Sequence, residues 1–249
     1  MNFQFYQLTS AGDRETNQDY MAHMITEDYA LLVVADGLGG HTDGEKASRF
    51  FCEGLLKFAE TYRVRLKENP SLIFSEWLDD AVHEMQILFA GDTAARKAYT
   101  TCAILYLDSE FVLTAHCGDS RIYRLNSNEI LWRTRDHSIT QLLVDQGYIT
   151  EQEMAVHPEQ NQLTRSINAL KMHEAEINVY PPMQEGETFI VCSDGFWETV
   201  KQDELVQLAQ LKSGSADLRK LARLSVIRAN GKSDNVTVQW LRLTGSVAQ

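Results

Sequence analysis

Four acidic residues stand where strand-like runs end, each beside Gly, Ser or Asn. Asp36 closes the apolar run 29–35 and precedes Gly37, and Asp194 closes Phe189-Ile190-Val191-Cys192-Ser193 and precedes Gly195. Asp119 lies in the Gly118-Asp119-Ser120 turn after the run 111–117, and Asp234 precedes Asn235 at the mouth of the run 236–243. Any one of them alone reads as a turn aspartate, whose short side chain bonds its own backbone. Two wholly apolar runs that each deliver the chain into Asp-Gly say more. If those strands are neighbours in a core, their carboxylates meet at one rim.

Carboxylates gathered at a rim repel one another unless they are protonated or bridged by cations. A set made of oxygen donors alone favours Mg²⁺ or Mn²⁺ over Zn²⁺. Two such ions about 3.5–4 Å apart can hold and deprotonate a water for in-line attack on phosphorus. None of the seven histidines falls in an H-E-x-x-H spacing, and His116 and His137, isolated in sequence, read as structural residues.

Other phosphate chemistries fail on spacing. A cysteine phosphatase needs C-x₅-R, so that an arginine lies beside the thiolate; here Phe58, Asp108, Tyr123 and Glu198 stand six residues after the four cysteines. Gly231-Lys232-Ser233 lacks the upstream glycine of a P-loop, Gly37-Leu38-Gly39-Gly40 is an incomplete dinucleotide fingerprint, and no G-x-S-x-G elbow occurs.

Composition narrows the partners. The 249 residues carry a net charge of −12, which repels phosphate backbones and anionic lipid and argues against nucleic-acid and membrane-surface binding. Cys52, Cys102, Cys117 and Cys192 show no C-x-x-C spacing and read as buried reduced thiols. No apolar run approaches the ~20 residues of a membrane span. Met1-Asn2-Phe3-Gln4-Phe5 has no basic start and no cleavage site, so a cytoplasmic chain is expected.

The elements that must position the acids follow from periodicity. The run 29–35 predicts a strand buried on both faces and ending at a turn over 36–40. Helical spacing predicts helices over 45–66 and 73–90. Strands are expected over 101–107, 111–117 and 121–125, then a short helix over 139–146 and an irregular stretch over 147–170. Strands over 177–180, 188–192 and 236–243 and helices over 203–211 and 216–229 complete the pattern. Helix pair, consecutive strands, helix pair is a segregated order, which predicts one α+β domain over residues 1–249 with antiparallel sheets.

With these residues in view, the chain resembles the metal-dependent Ser/Thr protein phosphatases of the 2C type, the PPM family, in its bacterial branch. Arg14-Glu15-Thr16-Asn17-Gln18-Asp19 is similar to the opening R-x-x-N-Q-D, and Val34-Ala35-Asp36-Gly37-Leu38-Gly39-Gly40-His41 to V-A-D-G-M-G-G-H. Gly118-Asp119-Ser120-Arg121, Asp136-His137-Ser138, Leu163-Thr164-Arg165, Ser193-Asp194-Gly195 and Asp234-Asn235-Val236-Thr237 follow in the family's order. Each motif is short, but seven in sequence make a strong signal.

The resemblance implies a four-layer α-β-β-α sandwich of two antiparallel sheets flanked by helix pairs. It implies two Mn²⁺ or Mg²⁺ ions, with a third in bacterial members. Asp36 would bridge the pair, helped by the Gly37 carbonyl, Asp194 and Asp234 would hold one ion, and Asp19 would join through a water. Asp119 with Asp194 would hold the third ion, and Arg14 would bind the substrate phosphate. Phosphorylated proteins would be the substrates, a Ser/Thr kinase the functional opponent, and a monomer the working form, with the flap at about 147–170. Two positions depart from the pattern. Leu38 replaces the histidine proposed as general acid in the eukaryotic branch, which leaves leaving-group protonation to a metal-bound water, with His41 nearby read as a helix-entrance residue. Tyr99 replaces a usual glycine. A pseudophosphatase that only binds phosphoproteins and a hydrolase of small phosphoesters are the competing readings.

Overall fold

The computed structural model describes residues 1–39, 41–92 and 97–244, with the backbone alone at positions 41 and 42. The chain opens with strands β1 (Asn2–Ser10), β2 (Asp19–Ile25) and β3 (Ala30–Leu38), then helices α1 (His41–Lys57), α2 (Ala59–Arg63) and α3 (Pro70–Phe89). Strands β4 (Tyr99–Thr100), β5 (Cys102–Leu107), β6 (Val112–Cys117), β7 (Arg121–Leu125) and β8 (Ile130–Arg133) follow. Then come α4 (Ile139–Asp145), α5 (Glu151–Met154), β9 (Ile167–Asn168), β10 (Glu176–Tyr180) and β11 (Thr188–Cys192). Helices α6 (Asp194–Trp197), α7 (Gln202–Leu208) and α8 (Ser215–Arg228) lead to β12 (Val236–Thr244).

One sheet has the order β1-β12-β11-β7-β8; the other runs β10-β6-β5-β3-β4-β9, with β2 also paired to β3. Strand pairing is antiparallel in both. The alternation of side chains along a strand explains why β3 is apolar throughout. Leu31, Val33 and Ala35 pack with Phe51, Leu55, Trp77 and Leu78 of α1 and α3. Ala30, Leu32 and Val34 face the opposite way, onto Ile122, Phe189, Val191 and Leu241 of the other sheet. Ile190, Cys192, Val236, Val238 and Trp240 in turn meet Phe196, Leu205, Leu218 and Leu221 of α6–α8. Three apolar layers between helix, sheet, sheet and helix are the α-β-β-α sandwich that the resemblance implied, and they agree with the α+β order that the segregated pattern predicted.

Several boundaries differ from expectation. Strand β3 continues through Asp36, Gly37 and Leu38 rather than turning there, because Gly37 and Leu38 pair with Thr100 and Tyr99 of β4. The helix expected over 45–66 is two, broken at Phe58, whose φ of −101° and ψ of 1° leave the helical region. Helix α3 starts as its residues dictate: Asn69 caps the Leu72 N–H and Pro70 fills the first turn, where no backbone donor is needed. Strands β1, β2, β4, β8 and β9 were not expected. All four cysteines are buried free thiols. Among the described residues no helix is long and apolar enough to cross a membrane.

Candidate active site

The sheet topology carries the five acids to one end of the sandwich. Asp19 and Asp36 are direct partners across the β2–β3 ladder. Asp194 follows β11, Asp234 precedes β12, and these two strands are neighbours. Asp119 sits between β6 of one sheet and β7 of the other. Their charges feel one another. Burial pushes the Asp36 carboxyl well above its usual range, and Asp19, Asp119 and Asp234 push it further. Asp194 is raised in the same way, by burial first and then by Asp36, Asp119, Glu198 and Asp234. Asp119 rises to about 7, through burial and then Asp136.

The backbone under these carboxylates is held at both ends. The Asp36 N–H donates to Thr101 Oγ1 at 2.9 Å, and its carbonyl accepts from Thr101 N–H at 2.8 Å and Thr100 Oγ1 at 2.9 Å. At Gly37 a Cβ would lie 2.0 Å from the Gly44 carbonyl oxygen of α1, so only glycine lets strand and helix approach this closely. Asn235 pins the loop that carries Arg14: its Oδ1 accepts from Gln18 N–H at 2.7 Å, and its Nδ2 donates to the carbonyls of Ala11 and Thr16.

The residues fit divalent cations. Asp19 Oδ2 accepts a 2.7 Å bond from Ser193 Oγ, while its Oδ1 is buried without a hydrogen-bond partner. Burial, opposed by the Ser193 and Thr237 hydrogen bonds, raises Asp19 to about 6. A buried carboxylate oxygen with no donor, among carboxylates that drive one another toward protonation, is relieved by a cation of the oxygen-seeking kind. Among the described residues, the group that brings three donor atoms within 4.8 Å of one another is elsewhere, at His116, His137 and Glu176. No three of the rim acids bring their oxygens that close together.

Arg14 stands at the edge of this rim, half-exposed, with Nη2 2.7 Å from Asp234 Oδ2. Glu198 is the acid that sequence reasoning missed. Its carboxyl rises to about 8 through burial, then through Asp119 and Asp234. It lies one helical turn beyond Asp194, and that i, i+4 spacing was the available signal. The His41 side chain and Gly40 lie outside the described residues. Tyr99 pairs with Leu38 on one side and Asn168 on the other, and its ring lies 5.3 Å from the Lys171 ammonium, so it ties β3 to the far end of the 147–170 segment.

Two of the short motifs explain each other. Arg121 grips Asp136 through Nε at 2.7 Å and Nη2 at 2.6 Å, both buried, with the Trp197 ring 3.3 Å from the guanidinium. This fork fixes the turn carrying Asp119 against the loop carrying His137.

A family model for protein phosphatase 2C matches residues 10–221, which spans six of the seven motifs, all but Asp234-Asn235-Val236-Thr237. The chain belongs to the protein phosphatase 2C family. The serine/threonine phosphatase stp of Listeria welshimeri is 30% identical over 218 residues, covering 84% of this chain and 82% of its own. The serine/threonine protein phosphatase PstP of Mycobacterium tuberculosis is 31% identical over 84% of this chain, which spans 39% of that longer protein. Among solved structures, M. tuberculosis PstP superposes with a TM-score of 0.82 at 24% identity over 98% of this chain and 99% of that one. A structure of the PstP catalytic domain in complex with two manganese ions gives 0.77 at 22% identity, over 98% and 99% of the two chains. These last two are likenesses of fold. In 2C-family terms, the rim acids come from the first, second, third, sixth and seventh motifs. The fourth, Asp136-His137-Ser138, braces the third, and the fifth lies in the 147–170 segment.

Proposed function

We propose that this 2C-family chain is a metal-dependent protein serine/threonine phosphatase working at the aspartate rim. The observation that carries the reading is the meeting of Asp19, Asp36, Asp119, Asp194 and Asp234 at one end of the sandwich, Asp19 and Asp119 buried and the other three partly so, with the carboxyls of the first four raised. Asp36 with the Gly37 carbonyl, Asp194 and Asp234 are assigned to a pair of Mn²⁺ or Mg²⁺ ions. Asp19 supports the pair from Ser193, and Asp119 with Asp194 is assigned to a third ion. Such ions, when bound, supply Lewis acidity and the activation of water as nucleophile.

The chain's own residues do the rest. Arg14, half-exposed at the rim, offers a planar fork to phosphate oxygens and exchanges its Asp234 contact for them. The Ser193 hydroxyl and the Asp36 backbone clamps hold carboxylates in place before substrate arrives, so little reorganisation is left for the reaction. Leu38 supplies no proton, so the leaving oxygen takes its proton from water. The substrates in this reading are phosphoserine and phosphothreonine proteins, and a Ser/Thr kinase is the opposing activity. The four buried free thiols suit a reducing compartment such as the cytoplasm.

The test is hydrolysis of a phosphothreonine peptide against a nucleotide monophosphate, with and without Mn²⁺. Preference for the peptide supports the reading. Preference for the nucleotide would replace it with a small-phosphoester hydrolase, and Mn²⁺ binding without turnover with a phosphoprotein-binding module.

A further inference from the structure

Beside the rim, on the face of β6 opposite Leu113, Ala115 and Cys117 and so toward the other sheet, lies a cluster of different chemistry. His116 on β6 and Glu176 on β10 are direct cross-strand partners, and the His116 and His137 rings lie nearly parallel with centroids 4.7 Å apart. One ligand atom from each of His116, His137 and Glu176 lies within 4.8 Å of the others. His116 is almost wholly buried. Its Nε2 lies 2.8 Å from the Arg135 carbonyl, which as a pure acceptor fixes the proton on Nε2 and leaves the lone pair on Nδ1. That Nδ1 is buried and has no hydrogen-bond partner. A backbone carbonyl behind one ring nitrogen and an unsatisfied lone pair on the other is the arrangement of a metal-ligating histidine.

We propose that His116 Nδ1, His137 Nε2 and a Glu176 carboxylate oxygen form a second metal site for a Zn²⁺-class ion, at the base of the 147–170 segment. Two imidazoles and one carboxylate suit Zn²⁺ and its transition-metal neighbours, whereas the all-oxygen rim suits Mg²⁺ and Mn²⁺. The His137 ring is held neutral, its pKa lowered to about 4 by burial and then by His116 and Arg165. Its Nε2 has only long contacts to give up, 3.4 Å to Arg165 Nη1 and 3.6 Å to Glu176. Ligation moves the ring proton to Nδ1, at the expense of the 3.3 Å contact from Gly118 N–H, and turns the rings out of their parallel stack. Arg165 is exposed and free to swing into solvent.

The position gives the ion leverage. The His137 carbonyl accepts from Thr164 N–H at 2.8 Å, Ile139 N–H donates to the Gln162 carbonyl at 2.9 Å, and Ser138 bridges Leu163. His137 N–H donates to the Gly118 carbonyl at 2.8 Å, one residue before Asp119. An ion on His137 therefore fastens the base of the flap to the turn that carries a rim acid.

The test titrates the purified full chain with Zn²⁺ in excess Mg²⁺, which occupies oxygen sites, and reads stoichiometry and affinity by calorimetry. One Zn²⁺ per chain is expected, retained in Asp36→Asn and weakened at least about tenfold in His116→Gln and Glu176→Gln, since even an outer-shell loss costs that much. His116 is buried and its variant can fail to fold; Glu176 is exposed, and Glu176→Gln, checked by circular dichroism, decides the matter by itself. Absence of Zn²⁺ binding, binding lost in Asp36→Asn, or binding unchanged in folded Glu176→Gln overturns the site.

Discussion

Arg14 and Asp234, 220 residues apart, meet at 2.7 Å at the edge of the aspartate rim. Both are partly exposed, with side-chain accessibilities of 57% and 35%, so the pair itself adds little stability. Its meaning is competitive. In the proposed reading Asp234 is assigned to cations and Arg14 to the substrate phosphate, and each here occupies the other. Cation and phosphate together would separate them, each taking the partner its charge demands.

Arg14→Ala should therefore split the two functions. The KM for a phosphothreonine peptide should rise about tenfold or more, the scale of one lost charge-assisted hydrogen bond. Mn²⁺ should bind at least as tightly, because Asp234 is released. Steady-state kinetics beside Mn²⁺ calorimetry check both halves. An unchanged KM removes Arg14 from phosphate binding.

The raised carboxyls set a pH dependence with a definite sign. Asp19 at about 6 and Asp119 at about 7 hold protons in the folded chain that they release near 3.8 when unfolded. The folded state binds more protons across that window, so the metal-free chain should lose stability as pH rises from about 4 to 7. Mn²⁺ should reverse the loss, with a Tm gain larger at pH 8 than at pH 5, since its ligands must be deprotonated. Thermal melts at the two pH values check this. A metal-free chain that becomes more stable over that range contradicts the electrostatics of the rim.

The buried Arg121–Asp136 fork predicts a cost in stability. Asp136→Asn leaves a buried guanidinium without its counter-charge, which costs about 3–5 kcal/mol. For a chain of this size that is a Tm drop of about 10 °C. A drop of only a degree or two would mean that Glu151, 3.6 Å from Nη1, together with Trp197 and Tyr123 accommodates the cation.

Gly37→Ala tests the close approach of β3 and α1. The added methyl carbon would meet the Gly44 carbonyl oxygen at 2.0 Å, so strand or helix must move, at about 1–3 kcal/mol. Weakened Mn²⁺ binding is expected alongside the lower Tm, because the displaced strand carries Asp36. Unaltered Mn²⁺ affinity would show that this contact does not position the rim.

Legibility of the fold tracked how deeply each segment is buried. Strands β3, β5, β6 and β11 read plainly because apolar layers cover both faces and leave few polar positions. Strand β1 was missed because it lies at a sheet edge, half-buried, with Gln4, Gln7 and Thr9 diluting the pattern. In β2, Asp19 and His23 interrupt the apolar residues. The break at Phe58 has no Gly or Pro to announce it. At the site, the acids were legible because motifs name residues, and their meeting depends on the order β12-β11-β7, which no local pattern encodes. The His116–Glu176 neighbourhood was invisible for the same reason, and Glu198 had only its i, i+4 spacing from Asp194 to mark it. They become neighbours only through a helical turn and a cross-strand register.

Hydrolysis of a phosphothreonine peptide by the wild-type chain and by Asp36→Asn and Asp194→Asn, each verified as folded, is the most direct measurement. The wild type should turn over with Mn²⁺ and stop when the ion is chelated, and both variants should fall to the background rate with Mn²⁺ present. Turnover that persists in chelator, or near-wild-type rates in either variant, would contradict a metal-dependent phosphatase built on this aspartate rim.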